Sequence, residues 1–514
     1  MAELLALLPQ RLAWHAALSA AALALGLAVA LPLGFAAARR PGLRWVALAV
    51  TGLVQTIPSL ALLALFYPLL LLLSSLAKAT LGFGFPALGF LPALLALSLY
   101  AMLPILRNTA AGLAGVDPAV TEAARGVGMT PRQSLTKVEL PLAAPVILAG
   151  VRTAAVWTIG GATLATPVGQ TSLGDYIFSG LQTEAWDMVL VGCAASAALA
   201  LVVDQLLGLV GRGLEQRRPV LWGGALAALG LGLVAALAPL AAPALSPRPK
   251  AYVIGAKNFS EQYVLAELMT QRLEERGARV DRRINLGSAV AYRALAAGEI
   301  DAYVDYTGTL WANVLHRTDN PGRQAVLGAL KTELSRRDGV VLAAPLGFEN
   351  AYAFAMKRER AQALGVKSLA DLSAKAPSLV MGGDLEFFSR PEWAAVDKAY
   401  GLKFKARRQF QPTFMYRALA SGEADVISAF SSDGRIAADD LAVLADPKGA
   451  LPPYDAVLLV SPGRADDPQL KALAASLSGK LTVEAMRRAN YAVDRDAGKQ
   501  SPAAAARELG AAAR

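Results

Sequence analysis

The chain has 514 residues, 55% of them hydrophobic and 18% charged, too apolar for an ordinary soluble protein and long enough for two or three domains. Its formal charge of +10 would suit nucleic acid, but in the first half the excess basic residues sit in short segments between apolar runs, which is a topology pattern instead. The single cysteine, Cys193, lies inside an apolar run, so a disulfide framework and a cysteine metal site are both excluded.

Six apolar stretches, near 15–37, 43–70, 88–106, 145–167, 186–210 and 221–243, reach the roughly 20 residues that span about 30 Å of hydrocarbon. The second exceeds one crossing and contains Pro58, which predicts a tilted or kinked helix. The first is read as a retained span, because its apolar core outruns a signal peptide's and Arg39 and Arg40 follow it. Arg39, Arg40 and Arg44, then Arg107, Arg125, Arg132 and Lys137, then Arg212, Arg217 and Arg218 mark alternate connections as cytoplasmic. The connections near 71–87 and 168–185 carry only Lys78 and face outward. Six crossings that begin outside also finish outside, so everything after Pro243 is expected on the extracytoplasmic side of a plasma (inner) membrane.

The cytoplasmic connection between the third and fourth spans reads Glu122-Ala123-Ala124, three residues, Gly128, nine residues, then Val138-Glu139-Leu140-Pro141. Val120 to Val127 forms a short helix with small residues on one face, Gly128 breaks it, and Pro131 suits the first turn of a second helix. Such a compact knob fits a groove on a partner. The spacing resembles the EAA signature of ABC importer permeases, which implies that Glu122, Ala123, Ala124, Gly128, Leu140 and Pro141 couple the membrane spans to a cytoplasmic ATPase subunit. Gln55-Thr56-Ile57-Pro58-Ser59-Leu60, Leu103 to Thr109 and Ile147 to Thr153 are similar to the osmoprotectant branch, from which Gly169 to Asp175 departs in lacking a glycine-rich turn. No phosphate-cradling GxxxxGK[ST] loop occurs, so ATP and magnesium are expected on that separate subunit, with no cofactor on this chain. The resemblance also implies a homodimer as the membrane unit, embedded in lipid.

After a proline-bearing linker at 244–250 the pattern changes to alternating strands and helices: Val253-Ile254-Gly255, the amphipathic run Glu261 to Arg276, then Ala278 to Ile284. Tyr292 to Asp301, YRALAAGEID, recurs as Tyr416 to Asp425, YRALASGEAD, and Val253-Ile254-Gly255 is echoed by Val380-Met381-Gly382. Two similar α/β units predict two lobes, and in each the Asp leads into a strand whose end, Tyr306-Thr307 or Phe430-Ser431, faces a ligand cleft. Two aromatics across a cleft begin a cage for a quaternary ammonium. An arbitrary Tyr or Phe reads first as core packing, and the repeat position turns that reading toward the cleft for Tyr306 and Phe430.

This half resembles the glycine betaine, choline and carnitine binding proteins through Gly255 to Gln262, Tyr303 to Gly308, Asn350 to Ala353, Ser431 to Ile436 and Leu451 to Asp455. Phe430 stands where many of them have Tyr. The resemblance implies that Asn258, Phe259, Gln262, Tyr306, Thr307, Tyr352, Phe388, Arg390, Phe430 and Ser431 bind the ligand, with Glu261 beside the first cleft loop. Gln262 reads equally as a solvated first-turn residue, and Arg390, before Pro391, as either a carboxylate clamp or a surface residue. Asp433 and Arg435 are expected to brace their own loop.

The fold expected is therefore multi-domain: an all-α polytopic permease of about six transmembrane helices, then a two-lobed α/β periplasmic-binding-protein domain. The boundaries are 1–220 for the permease, with a coupling loop at about 111–145, 221–249 for the last span and linker, and 250–514 for the binding domain. Within the last, lobe one runs over about 250–347, lobe two over 348–450, and 451–514 return. The function expected is ATP-driven uptake of a small quaternary ammonium or betaine solute, with ergothioneine uptake by the same mechanism as the alternative, since the layout also resembles importers of it. A membrane receptor would need a cytoplasmic output domain, and none is seen. Enzymatic activity is weakest, because the only histidines are His15 and His316 and no nucleophile–base arrangement is visible.

Overall fold

The computed structural model describes residues 6–183, 185–244, 251–317, 319–384, 387–410, 412–495 and 497–513. Two compact units divide the chain, Met1–Phe178 with Trp186–Arg248, and Ser179–Ala185 with Pro249–Arg514. From residue 245 on, the linker expected at 244–250 lies outside the described residues.

The first unit is helical: α1 Leu8–Arg39, α2 Pro41–Thr56, α3 Ser59–Leu81, α4 Phe90–Ala114, α5 Pro118–Gly126, α6 Pro131–Ser134, α7 Leu140–Ala162, the start of α8 Gly174–Gln182, which from Ser179 on belongs to the second unit, α9 Trp186–Glu215 and α10 Pro219–Ala244. Among the described residues six helices are long and apolar enough to cross a bilayer. Lipid gives no hydrophobic drive to helix association, so close packing has to do it, and small residues let backbones approach. On α1, Gly26, Ala30 and Gly34 recur every four residues against α4; a Cβ on Gly26 would lie 3.0 Å from that of Ala101, and one on Gly34 2.7 Å from Thr109.

The second predicted span requires correction. Instead of one kinked helix near 43–70, α2 stops at Thr56 and α3 starts at Ser59. Pro58 has no N–H to continue the ladder and forces extended backbone on Ile57, whose ψ is 127°. A freed carbonyl is costly in hydrocarbon. Here Tyr100 of α4 donates its hydroxyl to the Ile57 carbonyl, and Gln55 Nε2 donates to the Tyr100 carbonyl at 3.1 Å, so the break is bonded on both sides.

The second unit holds two five-stranded sheets, of order β2-β1-β3-β10-β4 and β7-β6-β8-β5-β9. The strands are β1 Tyr252–Lys257, β2 Val280–Leu286, β3 Ala302–Tyr306, β4 Val341–Glu349, β5 Tyr352–Lys357, β6 Val380–Asp384, β7 Ala406–Phe410, β8 Val426–Phe430, β9 Leu441–Val443 and β10 Asp455–Val460. In each sheet three parallel strands come from one copy of the repeat, and the fourth, antiparallel strand arrives from the other side of a hinge. The repeated aspartates explain the parallel cores. Asp301 bonds the Val253 N–H at 2.8 Å and Asp425 the Val380 N–H at 2.9 Å, pinning the strand entries in the same register. The helix Ser260–Glu274, α11, has eleven buried residues, a wider buried face than an amphipathic surface helix needs, and packs on the first sheet and the C-terminal helices.

These topologies can be checked by labelling. In a Cys193→Ser background, a cysteine at Lys471 should react with a membrane-impermeant thiol reagent in intact cells, while one at Gln216 should react only after lysis. The reverse pattern would place the second unit in the cytoplasm.

Candidate functional site

The cleft of the second unit forms where the ends of β1, β3, β6 and β8 meet the two crossover segments, Asn350-Ala351 and the stretch before Asp455. Its wall includes Asn258, Phe259, Tyr306, Tyr352, Arg390 and Phe430 of the residues expected from the sequence. Tyr352 is central to one aromatic group. Its ring centroid lies 4.9 Å from Phe387, 5.0 Å from Phe430 and 6.0 Å from Tyr454, the last edge-on. The Arg390 guanidinium stands 5.5 Å over the Tyr352 ring and is held by Glu392 and by the Tyr454 hydroxyl at 2.9 Å. Its side chain is only 11% exposed, which settles the two readings of Arg390 in favour of a buried cation. A second pair, Phe259 and Tyr306, stacks at 6.2 Å.

Tyr306 is anchored from behind. Its hydroxyl donates to Glu261, and Gln262 Nε2 donates to that hydroxyl at 3.0 Å while Gln262 Oε1 accepts the Lys257 N–H. Gln262 is thus a buried brace and not a solvated helix residue. Glu261 also accepts from Asn350 at 3.1 Å and Asn490 at 2.9 Å. Burial pushes its carboxyl above the usual range, opposed by hydrogen bonds from Ser432, Tyr306, Asn490 and Asn350. Lys257 is buried beside it, ion-paired with Asp305, its ammonium 5.2 Å from the Tyr306 ring.

Three other expected ligand residues are spent on structure. Thr307 donates to the Pro453 carbonyl at 3.1 Å and accepts the Asp455 N–H at 2.9 Å. Its repeat equivalent Ser431 donates to the Glu349 carbonyl at 3.2 Å and accepts the Ala351 N–H at 2.9 Å. Each hydroxyl is therefore a post for one crossover, a role that a strand-end position alone does not distinguish from ligand contact. Phe388 packs into lobe two, on Gly383, where a Cβ would sit 2.7 Å from its ring, and edge-on to Trp393 at 5.3 Å.

Sequence reasoning missed Tyr454, Asn350, Asn490, Asp494 and Lys257 as cleft residues. Tyr454 and Asn350 stand inside stretches that carry the family resemblance, and Gly308, in another, exists for Tyr454: a Cβ there would lie 2.5 Å from that ring. Asn490 and Asp494, one turn apart on the helix Val483–Asp494, carry no motif. Asp433 and Arg435 do brace each other, the Arg435 N–H on Asp433 at 2.9 Å, yet both also line the cleft.

In the first unit, α5 opens on an Asp117 cap and closes at Gly128, whose φ of +80° is the left-handed region that L-residues avoid. Thr130 and Gln133 form a capping box that starts α6, and a π-helical turn, Leu135–Glu139, leads into α7. Glu139 accepts from Ser134 at 2.8 Å and pairs with Arg39, the end of α1, at 3.4 Å. Glu122 and Ala123 are exposed, as are the apolar Val127 at 74% and Val120 at 38%, whereas Ala124 is buried. An apolar knob of this kind, presented at a helix end, has the character of a docking surface.

Residues 250–510 match the family model described as substrate binding domain of ABC-type glycine betaine transport system. Residues 30–216 match that of the binding-protein-dependent transport system inner membrane component. The chain is 29% identical over 464 residues to an ergothioneine transport permease/ergothioneine binding protein of Helicobacter pylori, covering 87% of this chain and 80% of that one. The chain is 41% identical over 198 residues to a choline transport system permease protein of Bacillus subtilis, 38% of this chain and 84% of the relative. A crystal structure of a glycine betaine/carnitine/choline ABC transporter is similar to half of the chain, at 28% identity and a TM-score of 0.45, over 96% of its own length.

Two outcomes are expected from this geometry. Since no atom lies within 4 Å of a Cβ at Gly128, only its backbone conformation restricts replacement. Gly128→Val should abolish ATP-dependent transport, at a conformational cost of about 1–2 kcal/mol, while Gly128→Asn, which tolerates that region, retains most of it. Second, burial, with the Asp433 carboxylate adding to it and Arg435 opposing, pushes the Asp494 carboxyl up to about 7. The folded state then holds this proton more tightly than the unfolded state, so the group's contribution to stability is complete below about pH 4 and is lost as pH rises through about 7. Thermal unfolding of residues 251–514 between pH 5.5 and 8.5 should show a falling midpoint that Asp494→Asn flattens.

Proposed function

The chain belongs to the family of substrate-binding domains of ABC-type glycine betaine transport systems, fused to an inner-membrane component, and from that premise we propose that its solute is a small quaternary ammonium compound or betaine. It is the permease and binding subunit of an ATP-driven importer, a multi-pass inner-membrane protein with an extracytoplasmic binding domain and a cytoplasmic ATPase partner. The observation that carries the solute class is the group of rings around Tyr352, Phe430 and Tyr454 in the cleft wall, with Phe259 and Tyr306 in the same wall. A methylated ammonium has no N–H to offer, so π faces hold it better than carbonyls do. Arg390 stands over Tyr352 in the same wall, paired there with Glu392, so a ligand carboxylate reaches this cation only by sharing it with that acid.

ATP and magnesium belong to the partner subunit in this reading, and the chain itself carries no ATPase and no cofactor. The membrane unit is a homodimer in lipid, each copy supplying half of the path. Fusion of the binding domain keeps it at high effective concentration near the permease. A second reading, ergothioneine, is supported by the Helicobacter pylori relative, whose match runs through both halves of the chain. Ergothioneine is also a betaine, so the same cage and cation serve it. Calorimetry on the detergent-purified protein with glycine betaine, carnitine, proline betaine, choline and ergothioneine separates the readings. Binding of none of the five would overturn the solute class.

If each ring contributes about 1–2 kcal/mol, Phe430→Ala should weaken binding of the true solute by about five- to thirtyfold, and Phe430→Tyr should change it little. Tyr306→Phe keeps the ring but removes a donor from buried Glu261, so its loss should appear in thermal stability more than in affinity.

A further inference from the structure

Arg152 is the only charged residue of α7, and Asp204 the only one of α9 between Asp187 and Arg212. Twelve residues separate Arg152 from the start of α7, and eleven separate Asp204 from the end of α9. At 1.5 Å per residue both lie about 16–18 Å from the cytoplasmic helix ends, near the middle of the hydrocarbon. Their side chains meet in two parallel hydrogen bonds, Nε to Oδ1 at 2.9 Å and Nη2 to Oδ2 at 2.8 Å. One turn along α9, Gly208 leaves room for the guanidinium: a Cβ there would stand 3.3 Å from Cζ and 3.4 Å from Nη2. Bidentate geometry and a glycine platform make this a built contact.

The helix that carries Arg152 is continuous with the coupling loop. Pro131–Val168 runs as one apolar helical segment of 38 residues, through the π-helical turn at Leu135–Glu139, and its cytoplasmic start follows the Gly128 turn directly. A hydrogen-bonded helix transmits an axial or tilting displacement along its length. Against α9, however, α7 otherwise presents apolar groups, such as Leu148 beside Gly211. In lipid such contacts have no hydrophobic penalty for sliding. A bidentate ion pair in a low-dielectric setting resists it, because separation would leave two charges unpaired in hydrocarbon.

We propose that Arg152 and Asp204 are positioning residues for transport: they clamp α7 to α9 at mid-membrane, so that the displacement delivered to the coupling loop by the ATPase moves the two helices as one body. The proposal rests on membership of the importer family and is independent of which solute is carried.

The test uses the full chain assembled with its ATPase subunit in nanodiscs, in a Cys193→Ser background, with spin labels at Trp157→Cys on α7 and Leu190→Cys on α9, both exposed sites. In the parent, the distance between labels should be the same without nucleotide and with ATP and vanadate. In Asp204→Asn or Arg152→Gln the two states should differ by several ångströms or broaden, with basal ATP hydrolysis within about twofold of the parent. The exchanged pair, Arg152→Asp with Asp204→Arg, should restore a single distance. Should the neutral variants not fold, Arg152→Lys, which keeps the charge but not the parallel bonds, carries the comparison. A distance unchanged between states in the folded single variants, or one that already shifts in the parent, overturns the clamp.

Discussion

A carboxylate removed from water must be given hydrogen bonds, and Glu261 collects its own from segments far apart in the chain. Tyr306 comes from the end of β3, Asn350 from the first crossover, Asn490 from a C-terminal helix and Ser432 from the loop after β8. Losing any one would leave a buried acceptor short and cost stability, so the four segments hold one another in place around the cleft. The ring of Tyr306 and the loop bearing Asp433 and Arg435 are positioned as a consequence. The recognition surface is thus an outcome of satisfying one buried acid.

The membrane unit answers to a different constraint, the absence of water around its backbone and of hydrophobic drive between its helices. Small residues on α1 and the bonded break at Ile57-Pro58 are responses to it. So is the economy of charge: α7 carries one charged side chain, and it is paired. The coupling loop, being in water, uses ordinary helix grammar, with an Asp cap, a glycine stop and a capping box.

The internal repeat shows how far a sequence pattern carries. It announced two lobes, and the paired aspartates and paired hydroxyls act in the same way in both. It did not announce that the fourth strand of each sheet comes from beyond the hinge, since β10 and β5 lie outside the repeated segment. For that reason Thr307 and Ser431 looked like ligand residues: their partners, Pro453 with Asp455 and Glu349 with Ala351, are supplied by crossovers that local pattern cannot bring to them.

The sequence by itself determined what depends on local chemistry and on spacing. Apolar length indicated six spans, the second of them misplaced by the break at Pro58, the arginines between them indicated a direction, the distances from Glu122 through Gly128 to Pro141 indicated the coupling knob, and the aromatics near strand ends indicated the cleft. Tertiary structure alone decided which of those aromatics and hydroxyls face the cleft and which are consumed as braces. It alone joined Asn490 to Glu261 across 229 positions and Arg152 to Asp204 across 52. The reason is physical: a hydrogen bond between distant segments depends on burial and on the approach of two backbones, and neither is written in the residues on either side of the partners.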